Sequence, residues 1–145
     1  MPESSHSVIV RNVCGGFYVR SIGLTLPVMP TQPSLKLIVL KTANLERLHG
    51  FYALLGFELV EEKHGSGPRH YSARLGDGIL ELHALPQGAA ADRTTRLGFG
   101  VSDLESVVEA VRKQTEVVTE PKQTEWGKRA VVRDPDGRTI ELYEC

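Results

Sequence analysis

The chain repeats one order of secondary-structure patterns twice. In each copy, a short apolar stretch with strand character precedes an amphipathic helix and three further strand patterns, and an Asp-Gly turn precedes the last of them. Corresponding positions keep a nearly constant spacing, so that Glu141 follows Glu81 by 60 residues. Repetition of a whole supersecondary unit restricts the fold to two similar modules. We therefore predict an α+β fold of two βαβββ modules, which occupy about residues 35–85 and 94–145.

The first 33 residues do not share this order. A Pro-rich stretch, "PVMPTQPS", separates them from the first module and is typical of a linker. We predict that residues 1–33 form an N-terminal extension and that residues 34–145 form a single domain. The extension could be an added edge strand, a partner-binding arm or an upstream extension of the reading frame, and these alternatives stay open.

Composition argues against several classes of partner. The 145 residues are 41% hydrophobic and carry a formal net charge of −1, so no overall field favours nucleic acid or an anionic membrane. No apolar stretch approaches the roughly 20 residues that span a bilayer. The two cysteines, Cys14 and Cys145, lie far apart and form no metal-type or redox motif, which predicts a location in the reducing cytoplasm. A phosphate-binding glycine loop and a G-x-S-x-G motif are also absent from the sequence.

Both predicted helices have recognisable ends. Asn44 can cap the first, "LERLHGFYALLG", and Gly56 can end it. Ser102 and Glu105 can form a capping box at the start of the second, "LESVVEAVRK". Each helix has one apolar stripe, so each is expected to cover one face of a sheet.

The strand patterns place polar side chains on the sheet face that the helices leave open. In an antiparallel sheet with helices on one side, every second side chain of a strand points away from the helices. The predicted open positions are Leu37, Val39, Lys41, His70, Ser72, Arg74, Ile79, Glu81 and His83 in the first module, and Arg96, Gly98, Gly100, Thr139, Glu141 and Tyr143 in the second. Two curved sheets joined side by side would enclose these residues in a concave pocket, the usual form of a small-molecule site. The two carboxylates need a compensating partner there, because burial of an unpaired charge is costly.

Three segments carry a resemblance to a known superfamily. They are "NLERLHGFYALLGFEL", "VSDLESVVEAVRK" and the C-terminal "WGKRAVVRDPDGRTIELYE". Together with the tandem βαβββ order, they resemble the vicinal oxygen chelate superfamily, which includes glyoxalase I, extradiol dioxygenases, fosfomycin-resistance enzymes and bleomycin-resistance proteins. The resemblance covers roughly residues 35–145. It implies a cup-shaped pair of sheets and favours a homodimer, because these cups often pair across chains.

The resemblance also implies where a metal would lie. Glyoxalase I-like members hold a divalent ion on the cup floor with His, Glu, His and Glu from the first, fourth, fifth and eighth strands. The matching positions here are Leu37, Glu81, Arg96 and Glu141; Leu37 has no donor atom, and the Arg96 guanidinium stays protonated and repels a cation. We therefore expect no metal cofactor. Our hypothesis is that Arg96 replaces the ion, joins Glu81 and Glu141 through charge-assisted hydrogen bonds, and offers its remaining edge to an anionic ligand.

Several further residues are candidates for the same site. The predicted ligand-binding set is Arg96, Glu81, Glu141, His83, His70, Arg74, Trp126 and Arg129. His83 or His70 could instead complete a displaced Zn²⁺ or Ni²⁺ site with the two glutamates, although a role in lining the pocket is favoured. For Glu81, Glu141 and Arg96, a purely structural ion pair is a competing interpretation.

For the remaining side chains, the sequence leaves alternatives open or indicates no role in the site. The resemblance places Trp126 where related binding proteins have an aromatic near the pocket mouth, and packing alone is an equal alternative. Arg129 can point into or out of the cup, because a one-residue register decides it. Tyr143 either fills the core or offers a hydroxyl to the pocket. His49 and His64 are expected to be exposed to solvent.

The leading functional hypothesis is metal-independent binding of a small polar or anionic organic molecule in the cup. One alternative is a divalent-metal-dependent, glyoxalase I-like lyase, for which Glu141 is the candidate catalytic residue. Another is a structural or regulatory dimer with a vestigial pocket. The sequence does not decide whether the protein is an enzyme, and it does not identify the ligand.

Overall fold

The computed structural model describes residues 32–145. The first module contains β1 (Leu37–Thr42), α1 (Leu45–Leu54), β2 (Val60–Glu62), β3 (His70–Leu75) and β4 (Gly78–Ala84). The second contains β5 (Arg96–Val101), α2 (Leu104–Arg112), β6 (Val117–Thr124), β7 (Gly127–Arg133) and β8 (Thr139–Glu144). The βαβββ order predicted for each half is confirmed. Nearly all of the predicted N-terminal extension lies outside the described residues, so its alternatives stay open.

Each module builds one four-stranded mixed sheet. Sheet 1 has the strand order β1-β4-β3-β2, and sheet 2 has the order β5-β8-β7-β6. The first strand of each module runs parallel to the last, and the other neighbours are antiparallel. The sheets are therefore mixed, whereas the argument from strand alternation considered an antiparallel sheet. The helix returns the chain so that the second strand runs parallel to the first, and two hairpins then make the fourth strand parallel to both.

Strand β6 contains a proline, Pro121, and continues for three residues beyond it. The register between β6 and β7 shifts between Thr119 and Lys122, a stretch that contains Pro121. Because β6 is the outer strand of sheet 2, one of its edges needs no ladder partner. An outer strand with a local irregularity tolerates a residue that has no backbone N–H.

The helix ends follow the predicted chemistry at one helix and depart from it by one residue at the other. Asn44 caps α1, because its Oδ1 accepts a hydrogen bond from the Arg47 backbone N–H at 3.0 Å. Helix α2 is capped by Asp103 rather than by Ser102. The Asp103 carboxylate accepts from the Ser106 backbone N–H at 3.0 Å and from its hydroxyl at 2.7 Å. The predicted capping box is therefore wrong, and Glu105 forms an ion pair with Lys128 instead.

Alanine substitutions at these two neighbouring positions separate the two caps. Asp103→Ala should lower the Tm by about 4 °C, because the loss of an N-cap leaves helix N–H groups unsatisfied. Ser102→Ala should leave the Tm nearly unchanged. Thermal unfolding followed by circular dichroism measures both variants, and a larger loss for Ser102→Ala would restore the capping box.

One hydrophobic core joins the two modules. Its residues come from both helices and from the helix-covered faces of both sheets. Tyr52 of α1 packs edge-on against Phe99 of β5, with 6.1 Å between ring centroids, and Phe57 packs against the same Phe99 ring at 5.2 Å. In the turn before β8, Arg138 donates to the backbone carbonyl of Lys41 at the end of β1. The faces that the helices leave open consequently lie outside this common core.

Within residues 32–145, neither helix is long and apolar enough to cross a membrane. The cytoplasmic location that we predicted is not tested by this finding and stays a prediction.

Candidate ligand-binding site

The predicted alternation between buried and open strand positions is present in both sheets. In β4, which lies between β1 and β3, Leu80 and Leu82 are fully buried, whereas Ile79 is 44% exposed. Strand pairing extends the same faces to the neighbouring strands. We call "open face 1" the surface of Leu37, Val39, Lys41, Val60, Glu62, His70, Ser72, Arg74, Ile79, Glu81 and His83. We call "open face 2" the surface of Arg96, Gly98, Gly100, Arg129, Val131, Arg133, Thr139, Glu141 and Tyr143.

Glu141 is the centre of a charged cluster on open face 2. Its side chain is only 9% exposed. Arg96 contacts Oε1, although without a well-aligned hydrogen bond, while Oε2 accepts from the Tyr143 hydroxyl and, at 3.3 Å, from Arg129. Two guanidinium groups and a phenol thus compensate one nearly buried carboxylate, as the cost of burying a charge requires.

Arg96 is the most accessible member of this cluster. Its side chain is 63% exposed, and the side chain of Arg129 is 26% exposed. A guanidinium has five N–H donors in a planar fork, so contact with one carboxylate oxygen leaves donors for another group. Open face 2 therefore presents a positioned cation that can bind an anion.

Glycine at position 98 keeps Tyr143 in place. Gly98 pairs directly with Glu141 across the parallel β5–β8 ladder. A Cβ atom at this position would lie 3.2 Å from the Tyr143 ring, which is tighter than an ordinary van der Waals contact. The space above Gly98 is therefore occupied by the ring whose hydroxyl donates to Glu141.

Glu81 belongs to a different cluster, on open face 1. Its Oε2 lies 2.9 Å from His83 Nε2, and the His83 ring stacks on the His70 ring with 4.4 Å between centroids and 12° between planes. His70 Nε2 lies 3.6 Å from Glu62 Oε2. The Ser72 hydroxyl donates to Glu62 at 2.7 Å and lowers the pKa of this carboxyl below its ordinary value. Five strand residues thus form one continuous cluster: Glu62, His70, Ser72, Glu81 and His83.

The two clusters do not meet within one chain. Among residues 32–145, no hydrogen bond or ion pair joins a side chain of open face 1 to a side chain of open face 2. Arg96 contacts Glu141, and the predicted contact with Glu81 is not formed. The physical reason is that β4 and β8 lie in different sheets, whose helix-covered sides pack on a common core.

The residues at the superfamily's four ligand positions do not fit a metal ion. Leu37 is half-exposed and offers no donor, and Arg96 adds a positive charge beside Glu141. The displaced set of Glu81, Glu141 and His83 does not assemble within one chain either, because Glu141 lies on the other sheet.

The remaining predicted residues lie around these clusters. Arg74 lines an open groove of about 750 Å³ together with Ser72, Ile79 and Val60 of open face 1. Arg129 points to the same side as Glu141, which decides between its two predicted orientations. Trp126 is 64% exposed in the turn between β6 and β7, three residues before Arg129.

The sequence predicted the exposure of His64 correctly but missed the surroundings of two other residues, His49 and Glu62. His49 is half-buried rather than exposed, because its ring packs on Tyr71 at 4.2 Å between centroids. Glu62 was not recognised as a site residue. Its signal is the direct pairing of Glu62 with His70, which requires the β2–β3 register.

The fold and the positions of these side chains can now be compared with known proteins. The family model of the Glyoxalase/Bleomycin resistance protein/Dioxygenase superfamily matches residues 34–142. The chain belongs to this superfamily. The search of curated proteins found no match.

Solved structures of this superfamily's fold resemble the chain over most of their own length. TnmS3, an antibiotic-binding protein from Streptomyces sp. CB03234, is 25% identical with a TM-score of 0.62, and the match covers 80% of this chain and 98% of that one. A glyoxalase/bleomycin resistance protein from the same organism is 27% identical with a TM-score of 0.58, covering 77% and 100%. A hypothetical protein, SA1046 from S. aureus, is 21% identical with a TM-score of 0.61, covering 78% and 97%, and shares the fold.

Proposed function

We propose that this superfamily member binds a small anionic or polar organic molecule through Arg96, without a metal ion at the superfamily's ligand position. The observation that carries the proposal is the exposed guanidinium of Arg96 anchored on the nearly buried Glu141. Glu141 pairs with both Arg96 and Arg129, so two positive groups and one negative group lie together on open face 2, with a net positive charge. Such a fixed cation recognises a carboxylate, sulfonate or phosphate of a ligand through charge-assisted hydrogen bonds.

Binding without catalysis is the form of this proposal that the comparisons favour. The solved protein TnmS3 is described as antibiotic-binding, and nearly the whole length of TnmS3 is similar to this chain. A glyoxalase I-like lyase has less support, because Leu37 and Arg96 occupy two positions that would have to bind the ion. A dimer with a vestigial pocket is the outcome if no ligand binds.

We include a homodimer in this proposal, in which open face 1 of one protomer faces open face 2 of its partner. Open face 1 exposes Leu37, Val39 and Ile79 to solvent, which is unfavourable unless another surface covers them. Its two carboxylates, Glu62 and Glu81, are matched by Lys41 and Arg74, whereas open face 2 carries three arginines against one glutamate and is the more positive surface. This pairing would close a cup between the two chains.

A thermal-shift screen with matched ligands tests the proposal. Each aromatic or aliphatic carboxylate is paired with its neutral amide, and every pair is measured with and without EDTA. We expect several anions to raise the Tm more than their amides do, because a molecule that binds only the folded state stabilises it. The shift should persist in EDTA, and sedimentation equilibrium should give twice the chain mass.

Two outcomes would contradict the proposal. Shifts that disappear in EDTA would make binding dependent on a metal ion. A screen in which no anion raises the Tm above its amide would remove the assigned role of Arg96 and leave the vestigial pocket.

A further inference from the structure

We propose that His70, Glu81 and His83 form a transition-metal site on sheet 1, which shares only Glu81 with the metal position of glyoxalase I-like proteins. One ligand atom from each of these three residues lies within 4.8 Å of the other two. All three come from β3 and β4 of the first module, so the site needs no residue from the second module. The inference goes beyond the proposed ligand binding and does not depend on it.

Strand pairing explains why these side chains converge. His70 pairs directly with His83 in the antiparallel β3–β4 ladder, and Ser72 pairs with Glu81. Directly opposed residues of an antiparallel pair have side chains on the same face. Because Glu81 and His83 are two positions apart on β4, they also share that face. The cluster therefore rests on two hydrogen-bonded strands rather than on a mobile loop.

The burial of the three side chains suits a metal site with one accessible side. His70 is 5% exposed, Glu81 is 24% exposed and His83 is 26% exposed. The deep imidazole is shielded, while the other two groups border solvent. An ion held by these three residues would keep a coordination position for water or another ligand.

Two nitrogen donors and one carboxylate select the class of metal. Imidazole suits Zn²⁺, Ni²⁺ and Cu²⁺, whereas Mg²⁺ and Ca²⁺ prefer oxygen donors alone. Tetrahedral Zn²⁺ with bonds of about 2.1 Å requires ligand atoms roughly 3.4 Å apart. The His83 Nε2–Glu81 Oε2 distance is 2.9 Å, so these two groups are already close enough. The third donor, on His70, lies within 4.8 Å of both, so Glu81 and His83, which border solvent, have to move toward it for all three to bind one ion.

Glu62 supplies an outer partner for the deepest ligand. Its Oε2 lies 3.6 Å from His70 Nε2, and its Oε1 is held by the Ser72 hydroxyl at 2.7 Å. Carboxylates next to a metal-binding imidazole fix the orientation of the ring and raise its basicity. Glu62 thus lies next to His70, at a distance just beyond that of a hydrogen bond.

Zinc titration of metal-free protein, in competition with a chromophoric chelator, tests the site. We expect one Zn²⁺ per chain to be bound in the full-length protein. His83→Gln and Glu81→Gln should each weaken this binding at least tenfold, because each removes one of three ligands. The matched control is His49→Gln, which removes a half-buried imidazole on α1 and should leave the affinity for Zn²⁺ unchanged.

A second measurement keeps the proposal testable if a variant folds poorly. Co²⁺ added to the unaltered protein should give the intense visible absorption of a four-coordinate site, and Zn²⁺ should abolish it stoichiometrically. Unchanged Zn²⁺ affinity in folded His83→Gln, or Co²⁺ with only weak octahedral absorption, would overturn the inference.

The same titration distinguishes this site from the proposed ligand site. Glu141→Gln should leave the affinity for Zn²⁺ unchanged, because Glu141 lies on open face 2. Loss of Zn²⁺ binding in Glu141→Gln would place the ion at the superfamily's usual position and overturn the inference. A screen in which no organic anion binds would contradict the proposed function and leave the zinc result unaffected.

Discussion

Replacement of Asp134 by alanine should lower the free energy of unfolding by about 3–5 kcal/mol, because it leaves a buried guanidinium without its main partner. Arg138 is 1% exposed and donates to Asp134 Oδ2 at 2.8 Å. The other oxygen of Asp134 accepts from the backbone N–H groups of Asp136 and Arg138, both at 2.9 Å. The substitution therefore removes one of the two carboxylates that pair with Arg138, the other being Asp136 at 3.0 Å, and leaves two backbone donors without their acceptor.

This turn also connects the two modules, which adds to the expected effect. Arg138 donates to the Lys41 carbonyl, and Asp136 accepts from the Thr42 hydroxyl at 3.1 Å. Both contacts join the turn before β8 to the end of β1. Loss of Asp134 would loosen the guanidinium that makes the first of them.

Urea unfolding followed by circular dichroism measures the effect of Asp134→Ala. The matched control is Glu120→Ala, which removes both hydrogen bonds of Arg112 to Glu120, at 2.8 and 2.7 Å, on an exposed surface. That variant should show only a small change, because exposed ion pairs are screened by water. Similar losses for the two variants would show that burial does not determine the strength of the Asp134–Arg138 pair.

Arg96→Gln should weaken the binding of an organic anion by about 10- to 150-fold, the range expected for one charge-assisted hydrogen bond. The change keeps a polar side chain of similar length but removes the positive charge. Glu141 keeps its contacts with Arg129 and Tyr143 in this variant, and position 96 is largely exposed, so the fold should persist.

Isothermal titration with the tightest anion from the screen and with its neutral amide measures this effect. Arg112→Gln is the matched control, because it removes an exposed arginine of α2 that is paired with Glu109 and Glu120. The amide should bind Arg96→Gln and the unaltered protein equally. An equal loss for anion and amide would assign Arg96 a role in shaping the pocket, and no loss for either would remove it from the site.

Much of the fold could be predicted because its signals are local. The alternation in "ILELHAL" predicts that Leu80 and Leu82 are buried and that Glu81 and His83 lie on the other face. The direction of β1 relative to β4 could not be read in this way, because it depends on the crossover of the whole module. The cap of α2 was missed for another reason: Ser102 and Asp103 are both good N-cap residues, so the pattern leaves one residue of ambiguity.

The sequence predicts which side chains of the site share one sheet face, but it does not predict contacts between the two open faces. Which side chains share a strand face follows from the period of two, and this placed Arg96 and Glu141 together. Whether Arg96 also reaches Glu81 depends on how the modules pack, and that packing involves aromatic contacts such as Tyr52 with Phe99. The pairing of Glu62 with His70 depends on the length of the "GSGP" loop region, which fixes the β2–β3 register.

The exposed turn between β6 and β7 has a practical consequence for optical experiments. Trp126 is the chain's single tryptophan, and it stands largely in water already. All indole fluorescence of the protein therefore originates at one corner of the second sheet. Its emission maximum should shift to shorter wavelength when a ligand or another subunit covers that corner. Unfolding of the protein should change the emission maximum little, because the indole is already exposed to solvent.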